Sequence, residues 1–297
     1  GRGGPIAMRG MGGGFTQILL DGQRIPPGFS IADITPEQVE RIEIFRAPTA
    51  ETGARAIAGT INIILREPLR QTNNDIRVGN QRERGLDSPQ ASWSRNGTFS
   101  DAGTYNATIS GGRTHQLTDT AATTRYADDA AGQLLTEQNT FGRSESDRKS
   151  LHLNARLQWR LGNGEQFGLQ AFGVHTRFST LSDGTLDQPV GALPAPYATR
   201  HSSTDGEFDM MRMGVNLNKR FDANTRYELR AGGGGYESKS LTLASQYDKR
   251  GNRSLLQSTD GKTHDRSWQA NAKVVHNVPD SSHAITAGLE VENVRWT

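Results

Sequence analysis

Histidines are the residues here best suited to hold a metal, but their spacing does not gather them. None of the seven has another histidine four positions away, so no helical turn would present two imidazoles to one ion. His175 and His264 invite a haem or metal reading that this scatter does not support. The chain has no cysteine, which excludes disulfides, thiolate zinc sites and thiol redox chemistry. No metal site and no cofactor are expected. Gly232-Gly233-Gly234-Gly235 has the glycine content of a phosphate-cradling loop. It lacks the Lys-Ser/Thr ending and sits inside a strand pattern, so room for a neighbouring segment or a strand bend is its expected use. Glu290 and Glu292 stand two apart on one strand face and read as lining of a wet interior, not as an acid/base pair. No catalytic residue is expected, and the chain is not read as an enzyme. The remaining candidates for ligand contact lie in polar segments: Phe29 in the loop Pro26-Pro27-Gly28-Phe29, and Tyr126, Phe141, Tyr197 and His201 further on.

The elements that would position these residues are β-strands. Only 33% of the 297 residues are hydrophobic, while 34 are glycine. Mean hydropathy is −0.66. That mixture suits many strands joined by turns, and a barrel with a wet lumen. A formal charge of +2 gives no reason to expect a nucleic-acid partner. No apolar run of about 20 residues could form a membrane-spanning helix. The opening Gly1-Arg2-Gly3-Gly4-Pro5 lacks the basic start and apolar stretch of a signal peptide, so a fragment is expected.

Before residue 70, short apolar runs alternate with glycine-rich turns. Ile18-Leu19-Leu20 reads as a buried strand and Asp21-Gly22 as the turn after it. Thr35-Pro36-Glu37 is a helix-start signal, so Ile31 to Val39 is expected to be a short helix or turn. Glu40 to Arg46 alternates charged and apolar residues, and Thr60 to Leu65 is rich in β-branched residues; both read as strands. The expectation for residues 1–68 is a small mixed α/β unit.

After Pro68 the chain becomes a series of amphipathic strands. Leu151, Leu153, Ala155, Leu157, Trp159 and Leu161 alternate with His152, Asn154, Arg156, Gln158 and Arg160. Comparable runs include Met211 to Asn218, Trp268 to Val274 and Ile285 to Glu292. Short turns at 162–165, 222–224 and 278–281 alternate with long polar segments at 112–149, 179–206 and 240–265, which are expected to be outer loops. Strands of ten or more residues and this rhythm fit an antiparallel transmembrane barrel, with lipid on the apolar face and a polar lumen. Taken one strand at a time, the pattern equally fits a soluble sandwich whose second sheet covers the apolar face.

Several segments of the first unit resemble the plug of TonB-dependent outer-membrane receptors. They are Met8-Arg9-Gly10-Met11, the run Phe15 to Pro26, and Pro36 to Pro48 with its core Val39-Glu40-Arg41-Ile42-Glu43. The run Gly53 to Ile64 resembles the element that ends the plug. Ala47 stands where that family more often has glycine. The resemblance covers about residues 5–68, in the family's order and spacing. It implies a mixed α/β plug over 1–68, followed over 69–297 by an antiparallel transmembrane β-barrel, here about ten of roughly 22 strands. It implies that Arg9, Gly10, Asp21, Gly22, Glu40, Arg41, Glu43, Arg46, Gly59 and Asn62 carry the plug motif and plug–barrel contacts. It further implies active import of a scarce solute, foremost a ferric siderophore, across the outer membrane of a Gram-negative bacterium. The partners implied are TonB, acting through a segment upstream, and outer-membrane lipid. The alternatives are a passive porin-like barrel and a soluble glycan-binding β-sandwich.

Overall fold

The computed structural model describes residues 16–20, 23–24, 39–45, 59–65, 72–127, 133–162, 164–279, 281 and 283–296. They form two sheets. The first has four short strands: β1 (Thr16–Leu20), β2 (Gln23–Arg24), β3 (Val39–Phe45) and β4 (Gly59–Leu65), in the order β2-β1-β4-β3. β1 and β4 run parallel, placing Ile18 beside Ile61 and Leu20 beside Ile63, while β3 is antiparallel to β4. Ile63 is the buried centre, with Ile18, Leu20, Val39 and Ile61 packed around it. β-Branched residues on paired strands bury one face cheaply in side-chain entropy, which is why these runs settle as strands.

The expected α/β character is not found here. No helix occurs among the described residues. Residues 31–38 of the expected helical segment lie outside them, and Val39 belongs to β3.

The second sheet is an antiparallel meander in which every strand pairs with the next in sequence. It consists of β5 (Asn73–Glu83), β6 (Leu86–Thr98), β7 (Gly103–Ala127), β8 (Leu134–Gly162), β9 (Glu165–Val190), β10 (Thr199–Arg220), β11 (Thr225–Tyr247), β12 (Arg253–Asn277) and β13 (Ala284–Trp296). The wall thus has nine strands among the described residues, not ten, and β5 does not pair with β13 to close it. β5 and β6 meet in the two-residue turn Arg84-Gly85, with φ of 53° and 85°. Two successive positive φ values match the right-handed twist of a hairpin.

The segments expected to be long loops are strand instead. β7 and β8 stay paired from Gly103–Trp159 to Ala127–Leu134. Likewise β9 pairs with β10, and β11 with β12, through the stretches read as loops. The connections at that end shrink to 128–133, 191–198 and 248–252. β8 has 29 residues, which at about 3.3 Å per residue far exceeds the roughly 25 Å apolar belt of a membrane barrel. The hairpins therefore project well beyond it. There both faces are wet, so the apolar alternation fades and polar β-formers with cross-strand ion pairs take over. Arg143 Nε meets Asp119 at 2.9 Å, and Arg125 Nε meets Glu137 at 2.7 Å.

The two faces of the wall invert the pattern of a water-soluble sheet. His152, Asn154 and Gln158 are buried, whereas their neighbours Leu151, Leu153 and Leu157 are exposed. Met211, Met213, Val215, Leu229, Trp268, Leu289 and Val291 are exposed on the same apolar face. No second sheet among the described residues covers it. On β8 this face runs nine residues from Leu151 to Trp159, the length that crosses a bilayer at a tilt. At its short-turn border Trp159 packs against Phe99 (ring centroids 5.1 Å) and Phe167 (5.6 Å), and Phe221 against Tyr227 (5.9 Å). Such an aromatic border is where amphipathic rings sit between hydrocarbon and water.

The four-glycine run lies in β11, where neighbouring backbones approach closely. A Cβ on Gly234 would collide with the Met211 carbonyl oxygen, and one on Gly235 with that of Asp265. Backbone cannot yield as a flexible side chain can. Gly234→Ala is therefore expected to lower the folded fraction sharply, at a cost of about 1–3 kcal/mol. Gly173→Ala, whose Cβ would find its nearest neighbours at 3.8 Å, is the tolerated control. Heat-resistant migration on gels reads both.

Candidate functional site

The plug sheet meets the wall on the wall's polar face. There an apolar patch interrupts the polar lining: Phe172 and Val174 from β9, Phe208 and Met210 from β10, and Tyr236 from β11, all buried. Register places Val174 opposite Met210, and Met210 opposite Tyr236. Phe208 stacks on Tyr236 with ring centroids 5.7 Å apart. Leu20, at the end of β1, packs against this cluster while also touching the plug's own core. Leu20 thus touches both sheets.

The patch escapes a reading by periodicity, though a signal is present. At Phe172-Gly173-Val174 and Phe208-Asp209-Met210 the apolar residues fall on the face that is polar elsewhere along the same strands. Buried polar groups stand around it, including Thr176, His152 and Asp265, and Arg212 Nη2 donates to Ser267 Oγ at 3.4 Å.

Among the plug-motif residues, Arg41 ion-pairs with Glu40 (2.7 Å) and Glu43 (3.0 Å) on its own strand. Glu43 Oε2 also accepts from Asn62 Nδ2 of β4 at 3.1 Å. These charges bind β3 to β4. The Arg41 guanidinium is held above its ordinary value, chiefly by its hydrogen bond to Glu43. Gly59 begins β4 with φ 131°. Arg9, Gly10, Asp21, Gly22, Phe29 and Arg46 lie outside the described residues.

The other candidate ligand contacts are not brought together by the register. Tyr126, near the end of β7, shares the inward face with Ser110, whereas Phe141 on β8 and His201 on β10 share the outward face with Leu151 and Met211. His201 pairs with Asp183 and meets Tyr247 edge-on at 5.7 Å. Tyr197 is half-buried in the connection between β9 and β10. The outward face also brings His175 to Asp209 (2.7 Å) and Glu207 (3.7 Å), a grouping that histidine spacing alone does not reveal.

Beyond the apolar band, hydrogen bonds from Arg143 and then Arg84 hold the Asp119 carboxyl below its ordinary value, and Arg113 does the same for Asp147. A lowered folded value means the contribution is present above the usual carboxylate range. It is lost as pH falls through the lowered value. Amide exchange across β7 and β8 is therefore expected to quicken modestly below about pH 4, since exposed pairs contribute little. Asp119→Asn should reproduce the change at neutral pH.

Residues 1–60 match the family model of the TonB-dependent receptor plug domain. Over 112 residues, 33% of this chain and 17% of the relative, the chain is 35% identical to the iron-regulated outer membrane virulence protein of Vibrio cholerae serotype O1. The aligned region is thus a small part of that relative's length. Among solved structures it is similar to the unliganded ferric citrate transporter FecA, with TM-score 0.48 and 15% identity, covering 96% of this chain and 49% of that one. It is also similar to the ferric enterobactin receptor PfeA, with TM-score 0.45 and 16% identity, covering 97% and 52%. The chain therefore spans about half the length of these solved proteins. Residues 1–60 of this chain thus match the plug of TonB-dependent receptors, and its wall, with the apolar face turned outward, is that of an outer-membrane protein.

Proposed function

We propose that this chain serves the active import of a scarce solute, foremost a ferric siderophore, across the outer membrane, with TonB supplying the force that moves the plug. The observation that carries the reading is Leu20 of the plug seated on the apolar patch of an otherwise polar wall face. A stopper held by a small apolar contact within a polar surround is retained at rest and released at modest cost. A passive porin has no use for such a unit. In a soluble sandwich Leu153, Val215 and Trp268 would be covered, whereas all three are exposed. Iron as the cargo is supported by the name of the Vibrio cholerae relative. No catalytic step enters the reading.

Plug residues Glu40, Arg41, Glu43 and Asn62 would keep β3 and β4 together while the plug moves. Tyr126 and Tyr197 are the candidates for contact with solute, together with Phe29. Phe141 and His201 would act at the outer surface of the hairpins.

The test is uptake of radio-iron presented on a panel of siderophores to iron-starved cells, with and without the receptor and with and without TonB. Uptake requiring both is the expected result. Receptor-dependent uptake that persists without TonB would support a passive barrel instead. Detergent-free solubility as a monomer would support the sandwich.

A further inference from the structure

We propose that His175, Glu207 and Asp209 form a binding site for a divalent transition-metal ion on the outward face of the wall. β9 and β10 pair with His175 directly opposite Asp209, and Glu207 follows two residues along β10 on the same face. One donor atom from each of the three lies within 4.8 Å of the others. His175 Nδ1 is 2.7 Å from Asp209 Oδ1 and 3.7 Å from Glu207 Oε1. Donors held about 2.0–2.2 Å from a common ion stand roughly 3–3.5 Å apart. Side-chain torsions alone can bring these three to that spacing, because the two backbones are fixed by the sheet.

The donor set selects the class of ion. One imidazole and two carboxylates suit zinc, cobalt or nickel, whereas magnesium and calcium take all-oxygen sites. Arg177 and Lys239 stand opposite Glu207 on either side and compete for it, but Lys239 is engaged by Glu237 at 3.0 Å, and Arg177's contacts are long, at 3.4 and 3.5 Å, with its side chain 70% exposed. Arg177 can swing away without leaving a buried charge. The register continues the row: Asp209 faces Glu237 on β11, which faces His264 on β12. Further donors therefore lie one strand away, although Glu237 is engaged by Lys239 and Lys262.

The site stands level with Leu151 at the edge of the apolar face, on the side away from the plug. An ion there would clip β9 to β10 where the strands leave the apolar belt. Its role is structural, so the proposal does not rest on the import reading.

The test is cobalt titration of the chelator-stripped receptor in detergent, followed by visible absorption. One saturable ion per chain is expected. His175→Ala and Asp209→Asn should each weaken it about tenfold or more. His115→Ala removes a histidine that also pairs with a carboxylate, Glu145 at 2.7 Å, but joins no three-donor group among the described residues; it should leave cobalt binding unchanged. Heat-modified gel migration confirms that each variant is folded, and Asp209→Asn stands in if His175→Ala is not. Absence of a saturable band overturns the proposal. So does equal binding by folded His175→Ala or Asp209→Asn, or equal loss in His115→Ala.

Discussion

Replacing Leu20 with aspartate is expected to unseat the plug while leaving the wall folded. The leucine packs on Phe172, Val174, Phe208, Met210 and Tyr236, and also on the plug's own core at Ile63. An ionised carboxylate placed there would sit among five buried residues of the patch, none of them a cation. Leaving a charge unpaired in apolar surroundings costs several kcal/mol, enough to favour lifting the strand over burying it. Leu20→Ala removes methyl groups without adding charge and should cost less, at most the lower end of the 2–5 kcal/mol seen for fully buried leucines, because Leu20 is only half-buried. Leu20→Met keeps volume and should be nearly silent. Amide exchange across β1 and β4 in the detergent-solubilised receptor measures the effect. It should rise strongly for the aspartate variant, with β8 to β11 unchanged. Protection of β1 that survives the aspartate would mean the seat does not hold the plug.

The second large effect is expected from Met213→Lys, because the outward face can be solvated in only one of two ways. Met213 is 58% exposed. If water covered it, lysine would be tolerated within about 0.5 kcal/mol, as at ordinary surface positions. If hydrocarbon covers it, a lysine near the belt's midplane costs about 2–4 kcal/mol. Met213 stands within the exposed run Met211, Met213 and Val215, bordered across the pairing by Ala171. The lipid cost should therefore apply. Denaturant-dependent folding of the receptor into phospholipid vesicles reads the difference, with Met213→Leu as the apolar control. A lysine variant that folds as readily as wild type would place the face in water and undo the membrane assignment of the wall.

What was legible in the sequence was legible because a solvent boundary imposed a period. From Leu151 to Leu161 one face meets an apolar medium and the other does not, so the residues alternate and the strand is visible. The plug motif was readable as a fixed run, Val39 to Arg46, whose charges bind β3 to β4 through Glu43 and Asn62. Between Gly112 and Lys149 the same strands continue with water on both sides. No period survives there, and paired strands look like loop. The apolar seat was hidden for another reason: at Phe172, Val174, Phe208 and Met210 the alternation changes sides, with apolar residues on the otherwise polar face and His175, Glu207 and Asp209 on the outward one.

Spacing along the chain therefore determined the strand-rich wall and its two unlike faces, while the plug was implied by the resemblance of its motif runs. Only the tertiary structure decided which distant residues share a neighbourhood. His175 and Asp209 are 34 positions apart in sequence, and Leu20 lies further still from Phe172. The physical reason is register: pairing between antiparallel strands sets which side chains stand side by side, and it is fixed by the turns and by the fit of the two sheets together, not by any local periodicity.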